Sequence, residues 1–139
     1  MNALVHAHSG LRYVVLALLI AAVGIAYSKW QQNDPNDSKI YTYALISCHI
    51  QLLLGIVLYM MSPKVEFSLM GDKFYRFFTV EHSLMMLAAI ILITVGRVRS
   101  RKVPVEARHR TVLFFYAMGL ILILVSIPWP FRNLGAGWF

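Results

Sequence analysis

Four runs of mostly apolar residues fill most of this chain, and each approaches the roughly 20 residues that carry an α-helix across a bilayer. They lie at about 4–27, 41–61, 77–95 and 112–130. The runs are continuous rather than alternating, which selects helices over β-barrel strands. The stretch from Ser28 to Ser38, rich in turn formers, closes the first run, and Ser62-Pro63 closes the second. Ile127-Pro128-Trp129-Pro130 closes the fourth, because proline has no N–H to give a helix. The expectation is an all-α membrane protein of one domain, residues 1–139. Its four transmembrane helices should form an up-down bundle, since short connections make neighbouring spans antiparallel. No internal repeat is visible.

Hydrophobic residues make up 59% of the chain and charged residues 14%, a balance suited to lipid rather than water. The net charge of +7 does not point to nucleic acid, because the basic residues crowd the connections and no recognition motif accompanies them. They read instead as a topology signal in contact with anionic lipid. Lys29, Lys39, Arg97, Arg99, Arg101, Lys102, Arg108 and Arg110 fall at one end of the bundle, against Lys64, Lys73, Arg76 and Arg132 at the other. That asymmetry predicts both termini on the outer, periplasmic side. Trp30, Trp129, Tyr75 and Tyr41 sit near span ends, where interfacial anchors are expected. The lone Cys48 excludes an intrachain disulfide and a multi-cysteine zinc site. The opening residues lack the basic region and cleavage site of a secretory signal, so the first run reads as a retained span.

Ionisable side chains inside spans are costly and are functional candidates by default. At a rise of about 1.5 Å per residue, His8 lies roughly 6 Å inside the outer end of span one and His82 roughly 7 Å inside that of span three. In an up-down bundle these spans face each other across the core, so the two imidazoles can supply both axial positions of a haem iron. The plain alternative is that each histidine hydrogen-bonds a neighbouring helix. His6 points about 200° away from His8 on a helix and reads as interfacial. His49 is near mid-membrane, and span four offers it no histidine partner. It can bond a quinone carbonyl, donate to a neighbouring helix, or substitute for one ligand of the first site. His109, set among arginines, reads as solvated.

Arg12 follows His8 by one turn on the same face and needs a counter-charge at its depth. Glu81 is one candidate partner; a haem propionate or a quinone headgroup is another. Met85 and Met86, three and four residues after His82, read as packing, with copper ligation as the alternative. Gly10, Gly24, Gly55, Ala88, Ala89, Gly96 and Gly119 allow close helix approach or leave room for a flat macrocycle. The connection from Ser62 to Arg76 is expected to lie on the membrane surface or to cover the bundle mouth.

The blocks His6-Ala7-His8-Ser9-Gly10-Leu11-Arg12-Tyr13, His49-Ile50-Gln51-Leu52-Leu53-Leu54-Gly55, Glu81-His82 and Ile127-Pro128-Trp129-Pro130-Phe131-Arg132 resemble small four-span bacterial membrane proteins described as cytochrome b-like. The resemblance spans nearly the whole chain. It implies a helical bundle in the bacterial inner (cytoplasmic) membrane, a b-type haem held by histidines, and a link to respiratory electron transfer. Carried over by position, it falls on His8, His49 and His82. Dihaem cytochromes b place four ligand histidines on two helices, and this chain has no such set, so one haem is expected.

Taken together, the expectation is one haem b with His8 and His82 as iron ligands, His49 as substitute, and Arg12 neutralising a propionate or holding Glu81. The role would be an electron relay or an accessory subunit, with other respiratory membrane subunits, quinol and lipid as partners. A stand-alone enzyme is less expected. Two other readings stay open: a cofactor-free accessory or assembly subunit, and a copper-handling protein using His6, His8, His82, Met85 and Met86. The absence of Cys-x-x-Cys-His excludes c-type attachment.

Overall fold

The computed structural model describes residues 1–139 and contains helices and no strand. Helix α1 spans Asn2–Gln31, α2 Lys39–Met61, α3 Lys73–Ser100 and α4 Val105–Ser126, and all four are long and apolar enough to cross a membrane. Each runs past its apolar stretch into the polar flanks. Helix α4 begins at Val105, directly after Pro104, so Arg108 and Arg110 lie within the helix rather than in a loop. It stops at Ser126 because Pro128 disfavours helical backbone at Ile127, which is extended. Helix α1 ends where Asn33 takes a positive φ of 51°, a conformation asparagine tolerates.

Helix α1 packs on α2 and α4, and α3 packs on α4 and α2, so α1 and α3 face each other across the diagonal. The inward stripe of α4 runs His109, Val112, Tyr116, Gly119, Ile123 and Ser126, alternating steps of three and four as a bundle seam requires. In α1 the stripe runs Arg12, Val15, Leu16, Leu19, Ala22 and Ala26. Close approach of α3 and α4 depends on Gly119, where a Cβ would stand 2.6 Å from Cγ1 of Ile93.

The packed core occupies only part of the bundle. In α2 the buried residues are Tyr41, Ala44, Ser47 and Cys48, and none follows in the remaining 13 residues of the helix, 49–61. In that half the bundle encloses a chamber instead.

A polar cluster closes the opposite, basic end. Arg97, 4% exposed, donates two hydrogen bonds to the Asp37 carboxylate at 2.9 and 3.0 Å and others to Thr42. Partial burial alone would raise the Asp37 carboxyl. The hydrogen bonds from Arg97 and from the Ser38 amide outweigh that and hold it below the ordinary carboxylate range. His109 is 3% exposed, not solvated as its arginine neighbours suggest. Its Nε2 lies 3.0 Å from the Asp34 carbonyl, which only accepts, so Nδ1 accepts from the Tyr41 hydroxyl at 2.7 Å. Tyr41 is fully buried rather than an interfacial anchor, and its carbonyl accepts from the Tyr116 hydroxyl at 2.6 Å.

Candidate functional site

The chamber has a volume of about 600 Å³, within the range of small-molecule and cofactor sites. His8 from α1 and His82 from α3 enter it from opposite sides, with ring centroids 6.5 Å apart. Helix α2 contributes Leu52, Gly55 and Tyr59, and the segment beyond α4 contributes Ile127 and Pro128.

A local feature of α3 precedes His82. Residues Phe77–Glu81 form a π-helical turn immediately before it, a distortion often found at functional sites. The Ser83 hydroxyl donates to the Phe78 carbonyl five residues back, at 3.0 Å. His82 Nδ1 lies 2.8 Å from the Ser126 carbonyl on α4. A carbonyl cannot donate, so Nδ1 carries the proton and Nε2 keeps its lone pair. This is the arrangement a metal-binding imidazole adopts.

Three buried side-chain polar atoms have no hydrogen-bond partner: His8 Nδ1, Arg12 Nε and Gln51 Oε1. All three residues line this chamber. Buried polar groups are ordinarily satisfied, so the concentration of unsatisfied ones here marks a place built around something polar. Gln51 anchors the wall by donating to the His8 carbonyl at 2.7 Å.

The segment after α4 folds back over the chamber, and Gly135, Gly137 and Phe139 line it. Arg12, 8% exposed, donates to the carbonyls of Gly137, at 3.2 Å, and of Trp138. The Tyr13 hydroxyl donates to the Trp138 carbonyl at 2.6 Å. Arg132 caps the end of α4 through the carbonyls of Val125 and Ile127. The connection between α2 and α3 adds Lys64 and Val65 to the wall while Phe67 stays exposed, so it covers the chamber only in part.

The structure departs from the sequence expectations at several residues. Arg12 does not pair with Glu81. Glu81, the last residue of the π turn, instead meets Arg76 at 3.1 Å, with both side chains 44% exposed. His49 lies outside the chamber on an exposed face of α2, bonded to the Thr94 hydroxyl at 3.0 Å, so it is not brought to the histidine pair. His6 is exposed. Of the two methionines only Met86 lines the chamber, and no cluster of three or more His, Cys, Asp or Glu side chains exists. Lys64, the Ser126 carbonyl and residues 135–139 went unrecognised in the sequence. The first reads as a topology lysine, and the others carry no motif.

Fold and chamber together define a four-helix bundle of membrane type with a histidine-lined cavity at one end. No protein-family model, curated protein or solved structure matches the chain.

Proposed function

We propose that this protein holds one b-type haem in the chamber, with His8 and His82 as the residues that would bind its iron. It would serve respiratory electron transfer in a bacterial inner membrane, as a relay or as a cofactor-bearing subunit of a larger complex. The observation that carries this reading is the facing of His8 and His82 across the bundle diagonal at 6.5 Å. An imidazole nitrogen binds a transition metal at about 2 Å, so two rings sharing one ion from opposite sides have centroids about 6 Å apart. The Ser126 carbonyl sets the tautomer of His82 and restrains its ring. Gly55 keeps α2 clear of His8, and Leu52, Ile56, Met86 and Ile90 supply an apolar wall that limits water. A bound haem would supply a one-electron carrier whose potential depends on its axial ligands and burial. By the positive-inside rule, the basic residues at the far end favour the cytoplasm for that end and the periplasmic side for the chamber.

The test is a pair of visible spectra, oxidised and dithionite-reduced, of protein purified in mild detergent. The expected result is a sharp reduced α-band with one haem per chain, lost in His8→Ala and His82→Ala and kept in His49→Ala. A featureless spectrum after growth with ample haem precursor would withdraw the reading in favour of a cofactor-free accessory subunit. Stoichiometric copper without haem would favour metal handling instead.

A further inference from the structure

The chamber is lined by two cations, Arg12 and Lys64, and by no aspartate or glutamate. Neither cation forms an ion pair anywhere in the protein, whose salt bridges are Lys29–Asp34, Arg76–Glu81 and Arg97–Asp37. Arg12 is buried, and its guanidinium meets the Tyr13 hydroxyl and two backbone carbonyls. Those groups satisfy donors without supplying a negative charge, and its Nε is left with nothing. The ammonium of the half-buried Lys64 has no hydrogen bond to the protein and stands 4.8 Å from the centroid of Phe78 and 5.9 Å from that of Phe74. A buried cation such as Arg12 is costly unless a counter-ion joins it, and the half-buried Lys64 adds a second positive charge at the same wall. At the other end of the same bundle, buried Arg97 has its carboxylate. No aspartate or glutamate side chain does the same for the chamber cations.

We infer that the missing counter-charge comes with the ligand: the chamber takes an acidic amphiphile whose apolar body lies between the helices and whose carboxylate end is bound by Arg12 and Lys64. Where the ligand is haem, the inference rests on the reading above and assigns its two carboxylates to these two side chains. The acid end then lies beneath the segment 135–139, because Arg12 is tied to that segment. The chemistry is shared by any acid-tipped apolar molecule, a long-chain fatty acid included.

The experiment titrates the full chain, produced in haem-deficient cells and purified in neutral detergent, with two matched pairs of probes. Haem and its dimethyl ester are followed by absorbance. A fluorescent polyene fatty acid and its methyl ester are followed by emission. Wild type, Lys64→Gln and Arg12→Gln are compared, and Lys64→Gln is decisive because Lys64 lies in a connection and holds no helix together. Esterification removes the negative charge that the two cations would bind. Wild type should therefore bind haem at least tenfold more tightly than its diester, and Lys64→Gln should reduce that preference roughly tenfold. Equal binding of haem and diester to wild type leaves the haem reading standing and overturns this inference. Preference for the fatty acid over its ester, abolished in Lys64→Gln and without any haem coordination band, supports the inference and removes the haem reading. No acid preference with either pair, or a preference unchanged in both variants, overturns the inference.

Discussion

A Cβ placed on Gly55 of α2 would stand 3.3 Å from Cε1 of His8 on α1. That separation is tight enough that the imidazole would have to give by a few tenths of an ångström. The glycine thus sets where the ring can sit in the chamber. Gly55→Ala should keep the fold, since alanine favours a helix by about 1 kcal/mol over glycine, and on the proposed haem reading it should weaken haem retention. Gly55→Leu projects a branched side chain into the chamber and should abolish the α-band without loss of helical circular dichroism. A normal band in Gly55→Leu would remove the chamber from consideration as the cofactor site.

The Arg97–Asp37 pair predicts a pH dependence. The Asp37 carboxyl is held below its ordinary value in the folded protein, so its contribution to stability is complete above the unfolded pKa of about 4. It is lost as the pH falls through the lower folded value. Thermal unfolding in detergent should show wild type losing stability as the pH drops below about 4, and Asp37→Asn should lack that component. At neutral pH Asp37→Asn should cost about 1–3 kcal/mol for stranding a buried arginine, toward the low end because the Asp37 side chain is 39% exposed. Parallel pH profiles for the two proteins would show that the pair does not carry this linkage.

Tyr41→Phe tests the buried histidine. It removes the hydroxyl that donates to His109 Nδ1 and leaves that nitrogen unpaired in a closed site. The expected loss is about 1–3 kcal/mol, read as a lowered unfolding temperature, with no change in any visible spectrum because the cluster lies at the far end of the bundle. An unshifted unfolding temperature would mean that the bond is not held in solution.

Glu81→Gln separates the observed pairing from the one its position suggests. Both side chains of the Arg76–Glu81 pair are 44% exposed, so the charge change should cost less than about 1 kcal/mol. The redox spectrum should stay as in wild type. A shifted α-band or a haem-deficient protein would place the carboxylate back at the chamber.

Sequence reading by itself determined the class of fold, because four apolar runs of spanning length leave helices as the form that satisfies every backbone group in lipid. It also determined that His8 and His82 would lie at one level, since short connections make alternate helices parallel and helical rise turns residue number into depth. Which way each side chain points was not legible. The helices are apolar nearly all round, so no polar face tells inside from outside, and Tyr41 and His109 read as interfacial and solvated although both are buried. The partner of Arg12 was hidden for another reason. Glu81 pairs with Arg76 instead, and the chain after α4 folds back to offer backbone carbonyls, which any sequence possesses. The chamber itself is decided by tertiary structure alone, because it exists only where the fully buried residues of α2 end at Cys48 and the helices beyond touch around a space instead of filling it.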